Sequence, residues 1–225
     1  WLKRRQPLPE RFYAESTDDQ IDGSWNCWVD IEERLPFYLA DTAEWTSLKE
    51  SREKTDEYLT AASEMIGGLE GAWLDSEEAE LLLEELGEPP PPCLPVYIIG
   101  LEGEGDLAGP VYVGITRSDN RFTGGHKAAL HLHDPKYEDY KKYLYRAAVW
   151  FLCGDEYLPL EWLRPDDIAN KILESVESQL IYEWKPEMNV RKKKADCTSI
   201  PLEIHVENFS GDEFVKDYFV FPENA

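Results

Sequence analysis

Four consecutive prolines, Pro89–Pro92, divide this chain. Each lacks an amide donor and fixes φ near −65°, so the run fits neither a helix interior nor a central strand and reads as a stiff, polyproline-like connector. The charge divides at the same place. Overall there are 23 Lys and Arg against 46 Asp and Glu, a net charge of −23. At first sight that argues against nucleic acid or an anionic membrane as partner, because both are polyanions. By segment, residues 1–92 carry −15, residues 93–194 only −2, and residues 195–225 carry −6. The middle segment ends in the basic run Arg191-Lys192-Lys193-Lys194. Nucleic acid can therefore approach the middle segment, while the flanks repel it, select its approach, or bind something else.

With 225 residues, 42% of them hydrophobic, and eight Trp and twelve Tyr, the chain has the composition of a globular protein of one to two domains. Cys27, Cys93, Cys153 and Cys197 lie far apart without a Cys-x-x-Cys pair, which reads as reduced intracellular thiols. No run approaches the ~18 apolar residues of a membrane span. The start, Trp1-Leu2-Lys3-Arg4-Arg5, has no apolar stretch behind it resembling a signal peptide, and a cytoplasmic location is expected.

Periodicity gives a coarse map. The N-terminal region, after an irregular aromatic-rich start, reads as mostly helical, with one helix over about 44–69 carrying Trp45, Leu48, Leu59, Ala62 and Ile66. A second is bounded by Asp75 with Glu78 three residues on, a capping box, and by Gly87. Beyond the prolines, Val96–Ile99 and Pro110–Val113 read as strands of a hairpin around a Gly- and Glu-rich loop. Short helices are expected over 127–132 and 137–145, then a strand over 147–152. Pro165 opens the clearest helix, with Ile168, Ile172, Val176, Leu180 and Trp184 at i+4, and Pro186 ends it. The tail alternates as two strands, 202–206 and 214–221.

For chemistry, the middle segment offers two Tyr on adjacent strands, an Arg and a His on the following turn, and a Glu on a long helix followed by a Pro and an Asn. These types suit phosphodiester hydrolysis: a carboxylate holds a divalent metal, Arg neutralises the phosphate, and Tyr or His moves the proton of the attacking water. In order and spacing, Val96-Tyr97, Tyr112-Val113-Gly114, Arg121, Glu177 and Pro186-x-x-Asn189 resemble the GIY-YIG nuclease superfamily over about residues 95–190.

That resemblance implies a metal-dependent endonuclease acting on nucleic acid, DNA favoured over RNA, with Glu177 ligating a single Mg²⁺ or Mn²⁺. Tyr97 and Tyr112 would line the site, one of them, alone or with His126, taking the proton from water. Arg121 would clamp the phosphate oxygens, and Asn189 would hold the geometry by hydrogen bonding. The chain departs from the family pattern in lacking the first motif's Gly before Val96, in the 14 residues between Tyr97 and Tyr112, in Ile115 after the second motif, and in His126 lying five residues after Arg121.

The expected fold is α+β: a small antiparallel sheet flanked by helices over 93–194, a mostly helical acidic region over 1–92, and an acidic C-terminal β-hairpin over 195–225. Arg191–Lys194 read equally as a solvated face or as contacts to the phosphate backbone. His131-x-His133 lacks a Cys or carboxylate at tight ligand spacing, so zinc is disfavoured. Trp25, Trp28, Trp45 and Trp73 read as core or interface rather than a base-stacking platform, and Tyr137, Tyr140, Tyr143 and Tyr145 as mostly helix packing, with exposed ones able to stack on bases. A competing function is a catalytically inactive, acidic protein-binding or inhibitory module on a nuclease-derived fold, docking a basic partner through its N-terminal region.

Overall fold

The computed structural model describes residues 2–3, 5, 12–13, 25–67, 73–117, 122, 127–153, 156–194, 198–211 and 215–221. In chain order the strands are β1 (Phe12–Tyr13), β2 (Trp25–Pro36), β3 (Val96–Glu102), β4 (Gly109–Ile115), β5 (Lys141–Cys153), β6 (Glu156–Pro159), β7 (Leu163–Arg164), β8 (Leu202–Asn208) and β9 (Tyr218–Phe221). The helices are α1 (Leu48–Met65), α2 (Ser76–Leu86), α3 (Lys127–His131) and α4 (Asp166–Trp184). Seven strands form one sheet in the order β4-β3-β5-β2-β8-β9, with β6 on the far end of β5, and β1 pairs β7 separately.

Alternation along the strands builds two cores. Val29, Ile31, Val96, Ile98, Val113, Ala147, Val149, Ile204 and Val206 face α4, where Ile172, Leu173, Val176 and Leu180 complete the larger core. On the opposite face Tyr97, Ile99, Leu101, Val111 and Leu144 pack beneath Trp45, Leu132 and Tyr137. Each such aliphatic side chain contributes roughly 1.5–3 kcal/mol by leaving water. A register shift between Ile99 and Gly100 lets both Val111 and Tyr112 of β4 join this second face.

Several expectations change. The strands of 93–194 pair antiparallel as expected, but they belong to a larger, mixed sheet in which β2 runs parallel to β8 from Trp25↔Leu202 to Ile31↔Asn208. The N-terminal region supplies this 12-residue strand as well as α1 and α2, and β2 lies between β5 and β8. The C-terminal hairpin β8-β9 forms as expected, with β8 continuing the sheet from β2. The helix expected over 137–145 does not form. A single 3₁₀ turn, Pro135–Tyr137, precedes β5, whose first half is flanked by β3 and β2. Tyr143 and Tyr145 are therefore strand residues; two ladders of main-chain hydrogen bonds outweigh the weak helical preference of a Lys- and Tyr-rich stretch.

The second helix matches its sequence signals, whereas the first, expected over about 44–69, runs from Leu48 to Met65, with Trp45 ahead of it. Ser47 with Glu50, and Asp75 with Glu78, form complete capping boxes, and Gly87 ends α2 at φ 76°. The first helix is tied to the sheet by polar groups: Arg52 donates to the Glu161 and Leu163 carbonyls and pairs with Asp166 at 2.8 Å. The Glu161 carboxyl, buried there, accepts from the Cys93 main-chain N–H at 3.1 Å, and burial raises its pKa.

Candidate active site

β4 is the edge strand of the sheet, and its outer edge is closed by the segment following α4. Lys185 takes a left-handed conformation (φ 50°) at the end of α4 and turns the chain toward Pro186. The Met188 N–H then donates to the Val111 carbonyl at 2.8 Å. Asn189 completes the contact with both ends of its amide: Oδ1 accepts from the Val113 N–H and Nδ2 donates to the Val113 carbonyl, each at 2.9 Å. The Pro-x-x-Asn segment thus satisfies main-chain groups that an edge strand otherwise leaves open. It also bridges the two faces of the sheet, running from α4 on one side to Met188, packed against the second core, on the other.

Tyr97 and Tyr112 stand on neighbouring strands with ring centroids 5.9 Å apart and planes inclined by 25°. Their environments differ. Tyr97 has no exposed surface and is enclosed by Trp45 and Phe122, whose rings meet it edge-on at 5.7 and 5.4 Å. Tyr112 is half-buried. Gly114, opposite Tyr97 in the ladder, makes room for that ring: a Cβ there would lie 2.5 Å from the Tyr97 hydroxyl and 2.9 Å from the Tyr112 ring. The Gly of Tyr-Val-Gly is required by this close approach.

Glu177 projects from the middle of α4, and its side chain is 16% exposed. Its carboxylate accepts a hydrogen bond from the Lys192 ammonium at 2.6 Å, so the partner expected for this half-buried charge is present as a cation of the chain itself. One turn earlier, Glu174 pairs with Arg117 at 2.8 Å. Among the described residues no group of three or more His, Cys, Asp or Glu converges on one point. A single carboxylate is nonetheless compatible with Mg²⁺, which keeps most of its water and takes one or two protein carboxylates beside substrate phosphates. Glu177 is a carboxylate of that kind, and a cation there would have to displace the partly buried Lys192 ammonium.

Of the other expected site residues, Arg121 and His126 lie outside the described residues. Phe122, directly after Arg121, packs against Trp45 with ring centroids 4.6 Å apart and planes inclined by 31°. Arg191 and Lys194 are exposed, while Lys193 donates to the Glu187 carbonyl at 3.3 Å, so the basic run does not act as one uniform face. The Glu187 side chain is held by the Tyr137 hydroxyl at 2.8 Å and by Lys136; both donate to it and lower its pKa.

Sequence reasoning did not place Lys192 against Glu177, nor Arg146 beside Tyr97. Arg146 is the ladder partner of Tyr97 on β5, and its guanidinium lies 5.3 Å from the centre of the Trp45 ring and is paired with Glu33. Residue spacing carries no signal for either contact, because both join segments distant in sequence or separated by a sharp turn. Comparison of the chain with protein-family models, curated proteins and solved structures finds no match.

Proposed function

We propose that the chain is a metal-dependent endonuclease that hydrolyses phosphodiester bonds of nucleic acid, DNA in preference to RNA, in the manner of the GIY-YIG superfamily that residues 95–190 resemble. The observation that carries the reading is the Asn189 clamp on Val113, which binds the segment leaving the Glu177 helix to the strand bearing Tyr112. In this reading Glu177 holds the divalent cation, which supplies Lewis-acid polarisation of a phosphoryl oxygen. Tyr112, half-buried, meets the substrate and takes the proton of the attacking water. Tyr97, without exposed surface, is a positioning residue that fixes the Tyr112 ring against Gly114. Arg121 clamps the phosphate, and His126 assists the proton transfer.

Purified protein incubated with single- and double-stranded DNA and RNA, with Mg²⁺ or Mn²⁺, beside Glu177→Ala, tests this directly. Cleavage that the substitution removes is expected. Equal and negligible turnover by both proteins on every substrate overturns it.

One observation favours the second reading, an inactive acidic module: the Glu177 carboxylate is already paired with Lys192 at 2.6 Å. In that case the acidic surface, including exposed Glu77, Glu80, Glu84 and Glu85 of α2, docks a basic protein. Truncation at the prolines would remove β2 from the middle of the sheet, so the suitable test is neutralisation of those four glutamates. Loss of basic-partner binding in a protein without nuclease activity supports this reading; binding that is absent from the start rejects it.

A further inference from the structure

A cavity of about 530 Å³ opens at the start of β5, between α3 and the turn Phe37–Leu39 that follows β2. Its size is that of a small-molecule site. Phe37, Tyr38 and Tyr140 give it aromatic walls, Tyr143 lines it with its ring covered by the Arg34 guanidinium 3.6 Å from the ring centre, and Lys141 and Lys142 add two cations. No carboxylate among the described residues lines it, although the chain carries twice as many acidic as basic side chains.

The two lysines are set differently. The Lys142 ammonium donates to the carbonyls of Tyr137 and Tyr140, the latter at 2.9 Å. Both acceptors are neutral, so the charge is held in place without being cancelled, and little is lost in ordering it when an anion arrives. Lys141 is largely exposed and 3.3 Å from Glu102, a loose pair that an incoming phosphate can displace. The Tyr38 side chain, 79% exposed, leaves a free aromatic face at the mouth. Flat ring walls beside two cations, one of them held in place, match a planar base that carries a phosphate, and the absence of carboxylates from the lining among the described residues disfavours a cationic ligand.

The cavity is also connected to the candidate active site. Phe37 meets Phe122 edge-on at 6.1 Å, and Phe122 meets Tyr97 at 5.4 Å. Two ring contacts therefore separate the cavity from the tyrosine pair. We infer that this cavity binds one unpaired nucleotide, its base among the tyrosines and its phosphate at Lys141 and Lys142; the assignment of that nucleotide to a strand being cleaved rests on the nuclease reading. A base inside a duplex cannot enter without leaving its stack, so the pocket selects single-stranded or flipped-out nucleotides.

The test is fluorescence anisotropy of a labelled thymidine oligonucleotide, single-stranded or in its duplex, in EDTA so that nothing is cleaved, with thymidine 5′-monophosphate as competitor. Tyr38→Ala and Lys141→Glu alter exposed side chains, and thermal melting of both variants checks that they fold. Single strands should bind more tightly than duplex. Tyr38→Ala should weaken single-strand binding about 5- to 150-fold, the effect of losing one base stack. Lys141→Glu should weaken it and reduce its salt dependence. Displacement by the mononucleotide identifies the free nucleotide as a sufficient ligand; binding that only the strand achieves identifies nucleic acid. Single-strand binding within twofold of wild type in both variants, or a preference for duplex, overturns the inference. If wild-type protein fails to cleave while Tyr38-dependent binding persists, the nuclease reading falls and the pocket stands; Glu177-dependent cleavage without Tyr38-dependent binding rejects the pocket alone.

Discussion

Asn189 holds Val113 by both of its main-chain hydrogen-bonding groups, 76 residues away in sequence. Through that one side chain the end of the Glu177 helix is fastened to the strand of Tyr112.

Asn189→Ala leaves the N–H and C=O of a fully buried strand residue unpaired. With about 1–3 kcal/mol for each dry, unsatisfied group, the variant should lose roughly 2–6 kcal/mol in urea unfolding. A loss below about 1 kcal/mol would show that water replaces the amide without difficulty.

Gly114→Ala drives a Cβ into the buried Tyr97 ring, which Trp45 and Phe122 prevent from retreating. Overpacking of this kind costs about 1–3 kcal/mol. In a Tyr97→Leu background the same substitution should cost much less, because the ring end that it meets is gone. Thermal melts of the four proteins give the coupling, and additive effects would contradict the contact.

The Asp30 carboxyl is pushed up to about 6, chiefly by burial and further by Glu207 and Glu32. One of its oxygens, Oδ1, is buried without a hydrogen-bond partner. The unfolded value is near 4, so the folded state binds this proton more tightly, and the group's contribution to stability falls as pH rises from about 4 through about 6. Asp30→Asn should therefore match wild type at pH 4 and melt at a higher temperature above pH 6. A difference in melting temperature that stays constant from pH 4 to pH 8 would refute the assignment.

Lys192→Ala frees the Glu177 carboxylate from its ion pair. Under the nuclease reading, Mn²⁺ should then bind roughly 2- to 5-fold more tightly, the magnitude of a partly exposed pair. Calorimetric titration measures this, and Glu177→Ala should abolish the binding; unchanged or weaker binding in Lys192→Ala would mean that the lysine does not compete for the site.

Burial pushes the Cys27 thiol up to about 12 and raises Cys93 well above its ordinary value, with Glu161 adding to the effect there. Neither should react with a thiol reagent at pH 8 until denaturant is added, since the thiolate is the reactive form. Mass spectrometry of the labelled peptides distinguishes these two positions, and rapid native labelling of Cys27 would show that β2 opens readily.

Local signals were legible where local physics decides the outcome. The capping box of α2, Gly87, the i+4 stripe of α4 and the β3-β4 hairpin all depend on neighbours within a few residues or one helical face. The stretch 137–145 carries no decisive local signal, because its Tyr and Lys residues tolerate either conformation and the flanking strands make 141–145 part of β5. β2 was passed over because its acidic residues, Asp30 and Glu32–Glu33, obscure a strand whose buried alternation is Cys27, Val29 and Ile31.

For the site, the sequence by itself determined which residue types exist in which order: paired tyrosines, a glycine after the second, a helical carboxylate and a Pro-x-x-Asn. Tertiary structure decided what each one touches. It buried Tyr97 and left Tyr112 half open, gave Asn189 the Val113 main chain, and closed Glu177 with Lys192. It also cut across the division at the four prolines by placing β2 between β5 and β8. The physical reason is that strand pairing and ion pairing depend on separation in space, and two strands about 175 residues apart must find each other before either has a complete ladder of hydrogen bonds.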